Sequence, residues 1–340
     1  MTQKPNRKSV RQAERTTPSK SSWLRSINSD KKWLAGGSGV AVLAALGVFN
    51  RARARRAETD SPPTGKFVEV DGVRLHYVDR GSGPAVLLLH GNGAMLQDFE
   101  LSGVLELAAQ HHRVIAFDRP GFGHSDRPRS TVWTAAAQAD LIAKALRRIG
   151  VGPAVVVGHS WGTLVALAMA LDHREATAGL VLLSGYYYGT VRPDVLPSSI
   201  PAIPLLGDVI ANTTAPLTAL LTGPAAVKAS FAPAEVSEKF ASFPRALALR
   251  PSQVRATAAD AAMMVPCAVG LSKRYGELDL PVILMAGQGD LIAHVGKHSE
   301  RLVGEIDGAE LRTVSGQGHL LHYWVPEQVV TAIADAWRSA

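Results

Sequence analysis

The sequence predicts an open α/β fold, a mostly parallel eight-stranded sheet with helices on both faces and a helical insertion. Three observations lead there. Short apolar runs recur at 85–89, 114–117, 154–157, 180–183, 282–286 and 311–314, and strands apolar on both sides belong to a sheet that helices cover on both sides. Between them lie Ala-rich and Leu-rich stretches with helical spacing, at about 95–110, 134–149, 161–171 and 326–338. The alternation then breaks between Gly185 and about Leu280, a stretch that holds ten prolines and many Ala, Leu, Val and Met residues without strand-like spacing.

Taken in order, the chain opens on a basic tail. Residues 1–32 are polar and lack an apolar period, which predicts disorder. Residues 33–49 carry no charge and are bracketed by Lys31 and Lys32 before and by Arg51, Arg53, Arg55 and Arg56 after. At 1.5 Å per residue the run spans about 25 Å, the short end of what crosses a bilayer. Residues 33–50 are therefore expected to be a single N-terminal anchor helix with membrane association, the longer cationic tail favouring an N-terminus inside. Residues 51–65 read as a linker, and 66–340 as the folded domain.

The charge distribution supports this division. Residues 1–60 hold 13 basic and four acidic groups, whereas the rest hold 23 and 25, so the net charge of +7 belongs to the leader. A folded body near neutrality gives no basis for a nucleic-acid partner. Cys267 is the single cysteine, so no disulfide forms within the chain, and its apolar surroundings suit a small core residue.

Within the domain, 67–70 and 73–78 flank Asp71-Gly72, a pairing that suits a tight hairpin turn. The next six apolar runs supply the parallel strands. The insertion, about 186–278, is expected to be a helical cap over the carboxyl edge of the sheet, where ligand pockets form.

The chemistry centres on Gly158-His159-Ser160-Trp161-Gly162, a G-x-S-x-G pentapeptide between an apolar run and a helical stretch. So sharp a strand-to-helix turn raises Ser160 clear of the backbone, the flanking glycines allowing close approach. A serine hydroxyl needs a base to take its proton, and that base needs a carboxylate to fix its tautomer. Asp290 follows one strand run through Gly287-Gln288-Gly289, and His319 follows the next through Ser315-Gly316-Gln317-Gly318. For the oxyanion, the donors expected are the N–H groups of Trp161 and of Asn92, within His90-Gly91-Asn92-Gly93.

These segments, with Asp118 to Ser125 (Asp-Arg-Pro-Gly-Phe-Gly-His-Ser), stand in order at suitable separations. Together they resemble the α/β-hydrolase superfamily, in its haloperoxidase, esterase and epoxide-hydrolase-like branch with a serine nucleophile. The resemblance implies a serine hydrolase acting on a carboxylic ester or related acyl compound, without metal or organic cofactor, and the apolar insertion points to a small to medium apolar acyl substrate. Asn92 with Trp161 looks like the halide pair of haloalkane dehalogenases, but Ser160 stands where those enzymes carry Asp. The alternatives are carbon–carbon bond hydrolysis or cofactor-free perhydrolysis with the same triad, and a ligand receptor on the same fold. Among the side chains, Asp118 rivals Asp290, His322 rivals His319, His159 reads as packing, and His294 with His298 has the spacing of a metal pair without a third ligand.

Overall fold

The computed structural model describes residues 1–2, 20–190 and 195–340, with the side chains of 20–38 and 195–196 outside the description. Most of the expected tail (3–19), the first side chains of the expected anchor (33–38) and residues 191–194 of the insertion thus lie outside the described residues. The chain divides into two units, Met1–Ala45 and Leu46–Ala340.

Apart from Met1 and Thr2, the described part of the first unit belongs to one helix, α1 (Lys20–Asp60), which continues into the second. Two expectations change here. Residues 20–32 are helical where a disordered tail is expected, and 51–60 are helical where a linker is expected. The sequence explains the second: Ala, Arg and Glu between Arg51 and Asp60 favour helix, and the first breakers are Pro62 and Pro63. Val40, Val42, Val48 and Phe49 are exposed on this helix.

In the second unit eight strands form one sheet: β1 (Lys66–Val70), β2 (Val73–Arg80), β3 (Ala85–Leu89), β4 (Arg113–Phe117), β5 (Ala154–His159), β6 (Thr177–Leu183), β7 (Val282–Gly287) and β8 (Glu310–Val314). Their order is β1-β2-β4-β3-β5-β6-β7-β8. The β1–β2 and β2–β4 pairs are antiparallel, the others parallel. Successive side chains of a strand point to opposite faces, and the core divides accordingly. Leu87, Val156, Leu180 and Leu284 join one apolar cluster, whereas Val86, Val155, Val181 and Ile283 join the other.

Helices cover both faces. α2 (Gln97–Ser102), α3 (Val104–Ala108) and α12 (Pro326–Ser339) supply the second cluster; α4 (Ala135–Arg148) and α5 (Gly162–Asp172) supply the first. Thr134 caps α4 by accepting from the Ala137 N–H. The outermost strand, β8, carries Glu310 and Arg312, which pair with each other while Arg312 also reaches Asp335 of α12. Charge on an edge strand discourages pairing with another chain.

Between β6 and β7 the insertion is helical among its described residues: α6 (Val195–Ser199), α7 (Leu206–Asn212), α8 (Ala215–Phe231), α9 (Arg245–Ala248) and α10 (Pro251–Leu271). A last short helix, α11 (Ser299–Val303), follows β7. Among the described residues α10 alone is long and apolar enough to cross a membrane. It is internal, and it buries Gln253, Ala258, Asp260 and Ala268 against the domain. The end of α1 is fastened to this cap: Asn50 Nδ2 donates to the carbonyls of Asn212 and Thr213, and Glu58 meets Arg250 at 2.6 Å.

Candidate active site

The chain turns from β5 into α5 at Ser160, whose φ of 51° is a strained, left-handed conformation for a residue with a side chain. No larger residue fits beside it. A Cβ on Gly158 would lie 2.7 Å from the Gly162 carbonyl, and one on Gly162 would lie 2.2 Å from that of Leu89. The bend is locked on both sides: the Ser160 N–H donates to Leu183 O, and the Ser160 carbonyl accepts from the Thr163 N–H and hydroxyl.

The structure brings Ser160, Asp290 and His319 together. His319 Nε2 lies 2.8 Å from Ser160 Oγ, and His319 Nδ1 lies 2.8 Å from Asp290 Oδ2. Asp290 is 2% exposed, and its other oxygen accepts from the N–H groups of Ile292 and Ala293. Burial pushes this carboxyl up, but His319 and the two N–H groups outweigh it, so its pKa falls below the ordinary value. An ionised carboxylate only accepts hydrogen bonds. Nδ1 of His319 therefore carries a proton, and in the neutral ring Nε2 faces the serine hydroxyl with its lone pair.

The loop after β3 passes directly over the serine. A Cβ on Gly91 would come 3.1 Å from Ser160 Cβ, a tight contact that favours glycine there. The side chains of Asn92 and Trp161 are both committed to the cap: Asn92 Nδ2 donates to Thr257 O at 3.1 Å, and Trp161 Nε1 to Asp260 O at 2.9 Å. Both acceptors are on α10, so neither donor of the halide-like pair faces an open site. The peptide N–H groups of Asn92 and Trp161 have no backbone acceptor among the described residues.

The other titratable candidates fall elsewhere. Asp118 accepts from His76 Nδ1 and from the N–H groups of Leu96 and His124, which holds the loop after β4. His322 pairs with Asp98 at 3.1 Å, away from the serine. His298 Nδ1 accepts from the Tyr187 N–H. His159 packs beneath the site, and its Nε2 bonds to the backbone carbonyl of His319 at 3.1 Å.

Three buried residues to which the sequence assigned no role support this arrangement. Arg119, wholly buried, donates to the carbonyls of His90 and Gly91 and to Gln138, and pairs with Asp260 at 2.7 Å. It thereby ties the loop over Ser160 to α10. Asp260 is the only acid in α10; a lone carboxylate in an apolar helix signals a buried cation partner, and that signal was available. Asp98 accepts from His322 and from the Tyr323 hydroxyl. Burial raises its pKa, but these partners and His159 bring it to about 2. Asp98, His159 and His322 also form the one group of three potential metal donors within 4.8 Å among the described residues.

A family model for the alpha/beta hydrolase fold matches residues 84–326. The chain belongs to this family. Among curated proteins, this α/β hydrolase is 35% identical over 133 residues to the dihydrolipoyllysine-residue acetyltransferase component of the acetoin cleaving system of Cupriavidus necator, covering 39% of this chain and 35% of that one. It is 33% identical over 127 residues to a 2-hydroxymuconate semialdehyde hydrolase of Pseudomonas putida, covering 37% and 45%. The matches thus span less than half the length of these relatives. Among solved structures, a hydrolase from Pseudomonas aeruginosa PA01 is similar with a TM-score of 0.67 at 21% identity, over 82% of this chain and all of that one.

Proposed function

We propose that this α/β hydrolase is a serine hydrolase that cleaves a carboxylic ester or a related acyl compound through an acyl-Ser160 intermediate. The observation that carries the reading is the unbroken sequence of contacts from Ser160 Oγ through His319 to Asp290, each 2.8 Å long, at a strained serine. Ser160 Oγ attacks the acyl carbon while its proton passes to His319 Nε2. The N–H groups of Asn92 and Trp161 receive the oxyanion. Collapse breaks the bond to the leaving alcohol, which takes the proton from His319. Water, deprotonated by the same imidazole, then releases the acid and restores the serine.

The apolar cap supports a small to medium apolar acyl group: Phe231, Phe240, Phe243 and Tyr323 cluster with Met95 beside the loop over the serine. Labelling with a fluorophosphonate and turnover of p-nitrophenyl esters test the reading. Wild type should label and turn over, and Ser160→Ala should do neither; equal labelling of both removes Ser160 from the mechanism. A second reading is carbon–carbon bond hydrolysis by the same residues, and a panel of diketones beside the esters separates the two.

The uncharged run at 33–49 supports a single membrane anchor, with Leu205, Leu206 and Leu221 of the cap also exposed. Alkaline carbonate extraction should leave the protein in the membrane pellet, and full release would defeat the anchor.

A further inference from the structure

A cavity lies against α10. Its volume is about 980 Å³, and Ser160, Asp290 and His319 are absent from its lining. Its floor includes Ala256, Ala259 and Met263, whereas α10 offers the carbonyls of Thr257 and Asp260 to the catalytic loop. The cavity is therefore separate from the acyl site, and its walls differ in kind: Arg74, Arg127, Arg129, Arg250 and Arg255 converge on it with His124.

The carboxylates nearby do not neutralise these groups. Glu58 pairs with Arg250, and Asp126 with Arg74. Asp208 is shared by Arg129 and Arg255, and Asp260 by Arg127 and the buried Arg119. Five guanidinium groups thus line the cavity among the described residues, and two of the four carboxylates that pair with them, Asp208 and Asp260, are each shared between two arginines. Arg255 is the least satisfied of them. Its Nε lies 3.0 Å from Asp208 Oδ1 but is not aligned to donate, and this buried N–H has no hydrogen-bond partner among the described residues. Burial and the neighbouring Arg129 and Arg127 push the Arg255 guanidinium below its ordinary pKa, only partly opposed by Asp208. Like charges gathered around a cavity with an idle donor are stabilised by an anion that accepts from several of them at once.

We propose that this cavity is a binding site for a phosphate-type dianion, held chiefly by Arg129, Arg255 and Arg127. Guanidinium forks match phosphate oxygens two at a time, and the arginines that share Asp208 and Asp260 outnumber those carboxylates. The volume admits more than the phosphate alone, up to a small phosphorylated molecule or the headgroup of a phospholipid.

Calorimetric titration of the full chain in detergent with inorganic phosphate tests this directly, and vesicles of phosphatidylglycerol or phosphatidylcholine identify the source. Wild type should bind phosphate saturably, one per chain. The double variant Arg129→Ala/Arg255→Ala should bind at least about ten-fold more weakly, the loss of one charge-assisted contact or more. Competition by phosphatidylglycerol but not phosphatidylcholine assigns the site to an anionic headgroup, and competition by neither assigns it to a soluble phosphate compound. If the double variant does not fold, Arg129→Gln replaces it, because that side chain is 64% exposed. Absence of saturable binding, or equal affinity in wild type and variant, overturns the proposal. Heat of binding is independent of turnover, so Ser160→Ala should bind as wild type does, whatever the fate of the hydrolase reading.

Discussion

Replacing Asp260 by Asn should destabilise the domain by about 3 kcal/mol, since breaking a buried ion pair from one side typically costs about 3–5 kcal/mol. The reasoning rests on what remains around Arg119. In wild type this guanidinium has four acceptors, Asp260, Gln138 and the carbonyls of His90 and Gly91, and the first is the only charged one. Asparagine keeps the volume and one acceptor oxygen, but it presents an NH₂ group to either Arg119 or Arg127, both of which only donate. The three retained acceptors place the effect at the low end of the range. Trp161 bonds to the Asp260 backbone carbonyl, a contact the substitution leaves in place. Urea unfolding followed by tryptophan fluorescence gives the difference. Lys144→Ala, which removes exposed pairs to Asp71 and Asp140, should cost less than about 1 kcal/mol and serves as the control. Ester turnover by Asp260→Asn should also fall, because Arg119 holds the loop over the serine. A variant within about 0.5 kcal/mol of wild type would show that the pair is held by its surroundings and contributes nothing net.

Two further outcomes follow from the same geometry. Ser160→Gly should abolish ester hydrolysis yet raise stability by about 0.5–1 kcal/mol, because relief of the positive φ exceeds the entropy cost of glycine; a loss above about 1 kcal/mol in urea would contradict the strain. Acid should destabilise the protein well before its carboxylates titrate. Burial, then Arg119, lowers His90 from 6.5 to about 3, and burial with His322 and His319 keeps His159 well below its ordinary value. Unfolding frees both rings to bind protons, so below about pH 6.5 each should remove about 1.4 kcal/mol per pH unit until its folded pKa is reached. Asp98 and Asp290, depressed in the fold, act with the same sign, their stabilisation being lost as pH falls below about 4. A urea midpoint that holds constant or rises from pH 7.5 to 5 would refute this.

Much of the fold was legible because strand and turn signals are local. Runs such as Val86 to Leu89 are apolar at every position since both faces of that strand are buried, and Asp71-Gly72 announces its hairpin by the φ angles it permits. The helix through 51–60 was misread for a related reason: polar residues imply exposure, not irregularity, and no breaker comes before Pro62. Sequence alone also nominated Ser160, Asp290 and His319, because each follows a strand run through a glycine-containing turn.

Burial was what the sequence could not state. Asp260 meets Arg119 across 141 positions, and Asp98 meets His322 across 224. An acid and a base that far apart give no sign of each other until packing excludes water from both, even where, as at Asp260, an apolar helix signals that a partner exists. The gathering of Arg74, Arg129 and Arg255 around one cavity is equally invisible in order, since they come from the second strand, the loop after the fourth and the last cap helix. The chain's periodicities determined where its strands and its candidate nucleophile lie, through forces acting over a few residues. Which charges face each other was decided only when the cap closed on the sheet, because the strength of a charge–charge contact depends on the water left around it.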